Sequence, residues 1–340
     1  AARPVAGCAG RGQAAPQGGR GAGRAVQTII DVVLPIFAII GAGYACGRGG
    51  VLGEASSEAL NRYVYFVALP ALFFLTTASA PLATVFNGGL IAAFMGGAAL
   101  SAALAISLGT PMFRLAGRER VMHGMAAIFS NTGYMGIPLL TTRFGEPGVL
   151  PAVVGTLCTG AVVMPLTMAA LQLVGPAERA RGRGLGRSLG VVARNPLVVA
   201  TALGVIWALV AGPRSLPSPA VRFLELLSVT AGPCALFAMG LFLVGRSVTR
   251  GLAESLWLSL VKLAVQPALT WVIAAVLLDL DPFLTACAVI LAGLPTGTLV
   301  FVVAQQSGVY VQRATAVIMI STALAVATLS TILVLFEGVR

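Results

Sequence analysis

The sequence predicts an all-α membrane protein: ten transmembrane helices arranged as two inverted five-helix repeats, each with one broken helix. Three observations predict it. Of 340 residues, 58% are hydrophobic and only 10% charged, where soluble domains carry about 25% charged residues. Apolar windows of about 20 residues, the length that crosses a bilayer, recur ten times. Two of these windows are interrupted by Gly and Pro at corresponding places in the two halves, the best sequence pointer to a transporter's binding site.

Residues 1–27 are rich in Gly, Ala, Arg, Pro and Gln and hold no apolar core before Thr28. They read as a disordered tail with no separate signal peptide, or as a start-site artefact. The windows lie at about 28–47, 58–79, 86–109, 121–142, 149–174, 195–212, 218–244, 253–278, 283–305 and 312–336. Helix punctuation separates them: Gly47 to Gly50, Pro81, Pro111, Gly145 to Pro147, Pro213 to Pro219 and Asp281-Pro282. Asn195-Pro196 reads as an N-cap followed by Pro at the first helical position. The longest loop, the basic segment 175–194, divides the chain into a first repeat, 28–174, and a second, 195–340.

The formal net charge of +11 would suggest nucleic acid in a soluble protein. Here the arginines fall in short loops and set orientation instead, so no nucleic-acid partner is expected. Arg48; Arg114, Arg118 and Arg120; Arg179, Arg181, Arg183, Arg187 and Arg194; Arg246 and Arg250; and Arg313 all fall in odd-numbered loops, while Arg143 and Arg214 alone fall in even ones. The odd loops are therefore cytoplasmic, and both termini are expected on the outer side of a cell (inner) membrane. Five spans per half force the second half into the bilayer upside down. Ala68-Leu69-Pro70 answers to Ala231-Gly232-Pro233, Asn131-Thr132-Gly133 to Pro295-Thr296-Gly297, and Phe144-Gly145 to Ser307-Gly308, at offsets of 163–164 residues.

The densest stretch is Ser130-Asn131-Thr132-Gly133-Tyr134-Met135-Gly136-Ile137-Pro138 in the fourth window. Pro138 has no N–H and its ring clashes with the carbonyl four residues back. The helix is expected to break there, freeing backbone groups around residues 131–137. Lipid cannot satisfy such groups, so a break survives only around protein or a water-filled cavity. Gly293-Leu294-Pro295-Thr296-Gly297-Thr298 is the corresponding interruption in the ninth window. The substrate-binding set is therefore Asn131, Thr132, Gly133, Tyr134, Pro138, Pro295, Thr296 and Gly297. For Asn131 and Thr132 the plainer alternative is that they only cap the broken helix. The prolines and Gly297 are structural enablers on either reading.

Other residues carry competing readings. Lys262, the sole lysine, is an intramembrane ionisable group and so a coupling candidate, or it snorkels to the interface. Asp31 reads as a head-group contact or a coupling residue, and Gln305 with Gln306 as lining of the cytoplasmic exit. His123 reads as a titrating group or, more plainly, as an interface residue, and Arg222 with Glu225 as a surface pair. Cys8, Cys46, Cys158, Cys234 and Cys287 have no metal-ligand spacing and read as small apolar residues. With one histidine and no HExxH, GxSxG or GxxxxGK[ST] motif, neither metal, cofactor nor enzymatic activity is expected.

At the Ser130–Pro138 stretch the sequence resembles the auxin efflux carrier family, which includes bacterial malate- and malonate-type permeases and plant PIN-type carriers. Asn61-Arg62-Tyr63-Val64-Tyr65-Phe66-Val67-Ala68-Leu69-Pro70, Asn195-Pro196, and Gly293 to Gly297 with Ala304-Gln305 and Gly308 extend the resemblance over residues 28–336. It implies a fold related to bile-acid symporters and sodium–proton antiporters. The broken fourth and ninth helices would cross at the substrate. Helices one, two, six and seven would form a scaffold, often dimeric, and the rest a moving unit. In the plant carriers an Asn at the position of Asn131 contacts the substrate carboxylate. This chain differs from them in lacking a long cytoplasmic loop, an Asn near Pro295 and an Asp/Lys pair in the second window. The expected function is a secondary transporter of small mono- or dicarboxylates, auxin- or malate-like, working by elevator-type alternating access. The alternatives are a sodium- or proton-coupled symporter on the same fold, and a membrane sensor or scaffold that binds without moving its ligand.

Overall fold

The computed structural model describes residues 29–79, 87–174, 194–213, 215–246 and 251–339. The tail 1–27 and nearly all of the basic loop 175–194 lie outside the described residues. Among the described residues seven helices are long and apolar enough to cross a membrane: α1 (Ile30–Arg48), α2 (Glu54–Ser79), α3 (Gly88–Phe113), α6 (Glu146–Leu171), α8 (Ser218–Leu243), α9 (Leu252–Leu277) and α12 (Val311–Leu335). Between them stand shorter helices. These are α4 (Gly117–Ile128), α5 (Ile137–Phe144), α7 (Pro196–Val210), α10 (Pro282–Ala292) and α11 (Leu299–Ser307). The described residues form no strand, only one isolated β-bridge between Ser130 and Thr296.

Proline placement explains a recurring local feature. π-helical turns at Ile29–Val33, Val64–Ala68, Thr132–Gly136, Cys158–Val163 and Val261–Val265 each end two residues before a proline: Pro35, Pro70, Pro138, Pro165 and Pro267. A proline leaves one carbonyl without a donor and crowds the carbonyl four residues back. Widening the preceding turn moves that carbonyl aside and lets the helix continue. This corrects the expectation at Pro138. The helix runs through it, from the π-turn Thr132–Gly136 into α5, and the chain leaves helical geometry earlier, at Phe129 to Asn131.

Glycine sets the closest helix crossings. A Cβ on Gly43 of α1 would land on the Phe237 carbonyl of α8, and one on Gly240 of α8 would land on the Ile40 carbonyl of α1. The two backbones touch there, as small residues allow in membranes. On the other side of the same group of helices, a Cβ on Gly204 of α7 would strike Thr77 and lie 2.7 Å from the Phe74 carbonyl of α2. Large apolar side chains such as Phe66, Leu203, Ile206, Phe223, Val276 and Leu324 remain exposed on the outer faces. In a membrane protein those faces meet lipid rather than water.

Candidate functional site: two broken helices joined at their breaks

α4 ends at Ile128, and Phe129 turns extended (φ −75°, ψ 90°). α10 ends at Ala292, and helix resumes only at Leu299. The two interruptions meet. Asn131 N–H donates to the Pro295 carbonyl (2.9 Å), and Gly297 N–H donates to the Phe129 carbonyl (2.8 Å). Thr296 fastens the junction further, its hydroxyl donating to the Ala126 carbonyl (3.0 Å) and its N–H to Ser321 Oγ on α12 (3.1 Å). The Asn131 carbonyl accepts from Met135 and Gly136 N–H at 3.0 and 3.1 Å. The backbone groups freed by each break are thus largely taken up by the other break and its neighbours. Side chains and helix ends carry the remaining polarity.

Lys262 belongs to this junction. It does not snorkel: it is fully buried within a π-turn of α9, and its Nζ donates to the carbonyl of Ala292, the last residue of α10. A cation at a helix C-terminus complements the negative end of the helix dipole.

A cavity opens beside the junction, lined on the broken segments by Phe129, Ser130, Asn131, Thr132, Gly133, Tyr134, Gly297, Thr298 and Leu299. Tyr65 and Leu69 of α2, Thr156, Thr159 and Gly160 of α6, and Asn195 at the start of α7 complete it. Among the described residues no acidic or basic side chain lines it. Its positive character comes from helix ends. The helical run from Thr132, the run from Pro196 capped by Asn195, and α11 beginning at Leu299 all start at the cavity wall. A helix N-terminus carries roughly half a positive charge and exposed N–H groups, a ready site for an anion. Hydroxyls and amides supply direction. Thr132 Oγ1 and Thr159 Oγ1 are 3.0 Å apart, Asn131 Nδ2 reaches only the weakly accepting Met239 sulfur at 3.3 Å, and buried Ser130 Oγ has no protein partner.

Of the residues singled out in the sequence, Asn131, Thr132, Gly133, Tyr134 and Gly297 come together in this wall. Pro295 and Thr296 stand behind it in the bridge, and Pro138 packs against Gly232 of α8. Gln305 is exposed near the end of α11, and Asp31 is exposed at the start of α1; neither lines the cavity. Tyr65, Thr156 and Thr159 escape the sequence reading because isolated hydroxyls on apolar helices carry no local signal. Asn195 is visible as a cap, and only tertiary packing shows where the capped end points.

His123 departs from the expected interface position. It is fully buried, with Nδ1 2.7 Å from Glu254 Oε1 and 3.3 Å from Tyr310 Oη. Tyr310 also donates to Glu254, and Arg313 lies 3.3 Å from the other Glu254 oxygen and 3.8 Å from Glu119. Burial, and then the neighbouring Glu254 carboxylate, push the Tyr310 phenol well above its ordinary range, so it remains a donor.

Comparison with known proteins agrees with this architecture. Residues 28–181 and 188–333 match the family described as "Membrane transport protein". A protein of Rhizobium meliloti (strain 1021) named "Putative malonate transporter" is 34% identical over 321 residues, covering 91% of this chain and 96% of that one. An uncharacterized transporter of Methanothermobacter thermautotrophicus is 27% identical over 305 residues, 88% of this chain and 95% of that protein. Another, from Methanocaldococcus jannaschii, is 26% identical over 252 residues, 70% and 77% of the two chains. With its membrane-length helices and a family match covering most of its length, this multi-pass membrane protein belongs to the membrane transport proteins of the auxin efflux carrier family.

Proposed function

We propose that the protein is a secondary carrier, not an enzyme, that moves small organic anions across the cell membrane, dicarboxylates of the malonate type foremost. The observation that carries this reading is the convergence of three helix N-termini on an uncharged cavity beside the two joined breaks. Partial charges and hydroxyls can hold a carboxylate and still release it, whereas a buried arginine would hold it more tightly. Asn131, Thr132 and Tyr134 face the substrate, Thr159 and Tyr65 close the opposite wall, and Thr296 and Pro295 hold the geometry. The malonate named for the Rhizobium relative fits this donor-rich, positively poled site.

The proposed architecture is ten crossings in two inverted repeats. The broken pairs α4/α5 and α10/α11, with α7, complete the seven long helices. The packing supports it. α1 pairs with α8 and α2 with α7, as α3 does with α4 and α9 with α10, and exchanging the two halves maps each pair onto its counterpart. Helices α1, α2, α7 and α8 would form the scaffold, with the apolar outer faces of α7 and α8 available to a second copy. The remainder would move past it as an elevator. Both termini would face outward. An inside-negative potential is worth ~2.3 kcal/mol per charge per 100 mV, so export of an anion needs no partner ion while accumulation needs one.

Counterflow in proteoliposomes over a panel of labelled carboxylates tests the reading. Wild type exchanges malonate, and Asn131→Ala loses at least about tenfold of that exchange while remaining folded. Saturable malonate binding with no flux in the wild type would make the protein a sensor instead.

A further inference from the structure

One face of α9 is polar from Ser255 to Thr270. Ser255, Ser259, Lys262, Gln266 and Thr270 follow at helical spacing, and each is at most 1% exposed. Several buried hydroxyls on other helices are satisfied locally, although Thr322 on α12 is not. Thr156, Thr167, Thr201, Thr315 and Ser330 each donate to the carbonyl four residues back. On α9 they are not. Among the described residues, Ser255 Oγ, Ser259 Oγ, Thr270 Oγ1 and both polar atoms of the Gln266 amide have no partner, and neither has Ser101 Oγ on the adjoining α3. Thr270 faces α3 directly, at Gly97, four residues before Ser101. A buried polar group without a partner costs about 1–3 kcal/mol, and polar groups in such a row are the usual hosts of buried water.

The row has a protonatable group at each stage. At its N-terminal end, Glu254 immediately precedes Ser255 and touches His123, Tyr310 and Arg313. His123 Nε2 is buried and has no protein partner. Arg313 and Glu119 beside it are 34% and 42% exposed, so the cluster connects to the surface. Halfway along lies Lys262, which pairs with no acidic side chain among the described residues and donates to the Ala292 carbonyl. Ala292 leads directly into Gly293-Leu294-Pro295, the strand of the break that accepts from Asn131.

We infer that Lys262 is the proton-coupling group of this carrier, reached from the cytoplasmic side through the Glu254–His123 cluster and the polar face of α9. This rests on the proposed carrier function and gives it an energy source. In the protonated state the ammonium holds the end of α10 by a charge-assisted bond. On release, one Nζ–H bond breaks with its electron pair left on nitrogen. The proton passes over water and the α9 hydroxyls to His123 Nε2 or the Glu254 carboxylate, and then to solvent. Uptake is the reverse. No oxidant or other co-reactant is needed. Glu254, Tyr310, Arg313 and Glu119 are the titratable or charged groups that share the His123 cluster.

The test uses full-length protein in proteoliposomes with a trapped pH-sensitive dye and labelled malonate, read in two arms. Counterflow at equal pH reports substrate exchange, and accumulation driven by a pH gradient, with the dye signal, reports coupling. Wild type shows both. Lys262→Gln loses at least about tenfold of the gradient-driven accumulation and of the proton signal, while counterflow falls by no more than about threefold. Ser259→Ala and His123→Gln slow the proton signal in the same selective way and carry the test if the lysine variant does not fold. Wild-type malonate exchange with no proton movement, or Lys262→Gln retaining its proton signal, overturns the inference and leaves the carrier reading standing. Wild type that exchanges none of the carboxylates overturns both.

Discussion

The two breaks have similar backbones and opposite chemistry. Each gives the other one backbone hydrogen bond, Asn131 to Pro295 and Gly297 to Phe129. The first half-helix, α4, is steadied near its end by a neutral donor, the Thr296 hydroxyl on the Ala126 carbonyl. Its counterpart α10 is closed by a charged one, Lys262 on the Ala292 carbonyl. The first break also supplies six successive residues to the cavity wall, Phe129 to Tyr134, while the second supplies Gly297, Thr298 and Leu299. Under the proposed function, a duplicated element has divided its labour: one copy reads the substrate and the other holds the bridge and takes the coupling charge.

Exchanging chemistry between the copies would break that comparison, and the largest effect is expected at the facing positions 131 and 295. Asn131→Ala removes a side chain from the wall and reduces malonate counterflow by at least about tenfold. Pro295→Ala keeps the carbonyl that accepts from Asn131, so its counterflow should stay within about threefold of wild type. Equal losses at both positions would mean that the second break reads substrate as much as the first.

Next comes Thr296→Val, which keeps the shape of a fully buried side chain and removes its hydroxyl. The Ala126 carbonyl then loses this donor, at a cost of about 1–3 kcal/mol. Unfolding of the detergent-solubilised protein should move to lower denaturant by the corresponding amount. Thr132→Val, whose hydroxyl only faces that of Thr159, should destabilise less, by about 1 kcal/mol, and weaken malonate binding instead.

The existence of both interruptions is legible in the sequence because Gly, Pro and Asn crowd into apolar windows where backbone groups need internal partners. The place of the first one is not. Read alone, Pro138 is the strongest breaker, yet a π-turn absorbs it, as others do at Pro70, Pro165 and Pro267. The break falls instead at Phe129 to Asn131, where the backbone exchanges intrahelical bonds for bonds to a segment 164 residues away in the chain. Such an exchange depends on a tertiary partner that local propensity does not contain. The same limit hides the partner of Lys262 and the burial of His123. A sequence can show that an ionisable residue sits in an apolar run, but whether it reaches the interface is decided by what packs against it.

Lys262→Met separates the two kinds of closure. Removing the lysine frees the Ala292 carbonyl, at about 1–3 kcal/mol. It also removes a fully buried amino group with no counter-ion among the described residues, whose charged form costs several kcal/mol to bury. The second term is larger. The variant should unfold at the same or higher denaturant than wild type, opposite to Thr296→Val. A loss of stability as large as that of Thr296→Val would make the lysine a structural cap and nothing more.

The smallest effect is expected at the residue that looks most important in the sequence. Pro138 follows a π-turn whose Ile137 N–H already bonds the Thr132 carbonyl, and its ring packs against Gly232. Alanine at 138 supplies an N–H that an ordinary α-turn can use and relieves the crowding that favours the wide turn. It loses the ring's contact with α8, so the two changes offset to within about 1 kcal/mol. The Ser130–Thr296 bridge stays in place, because nothing in it depends on the proline. Malonate counterflow within about twofold of wild type would agree. A loss as large as that of Asn131→Ala would mean that the π-turn itself, and not the bridge, shapes the cavity.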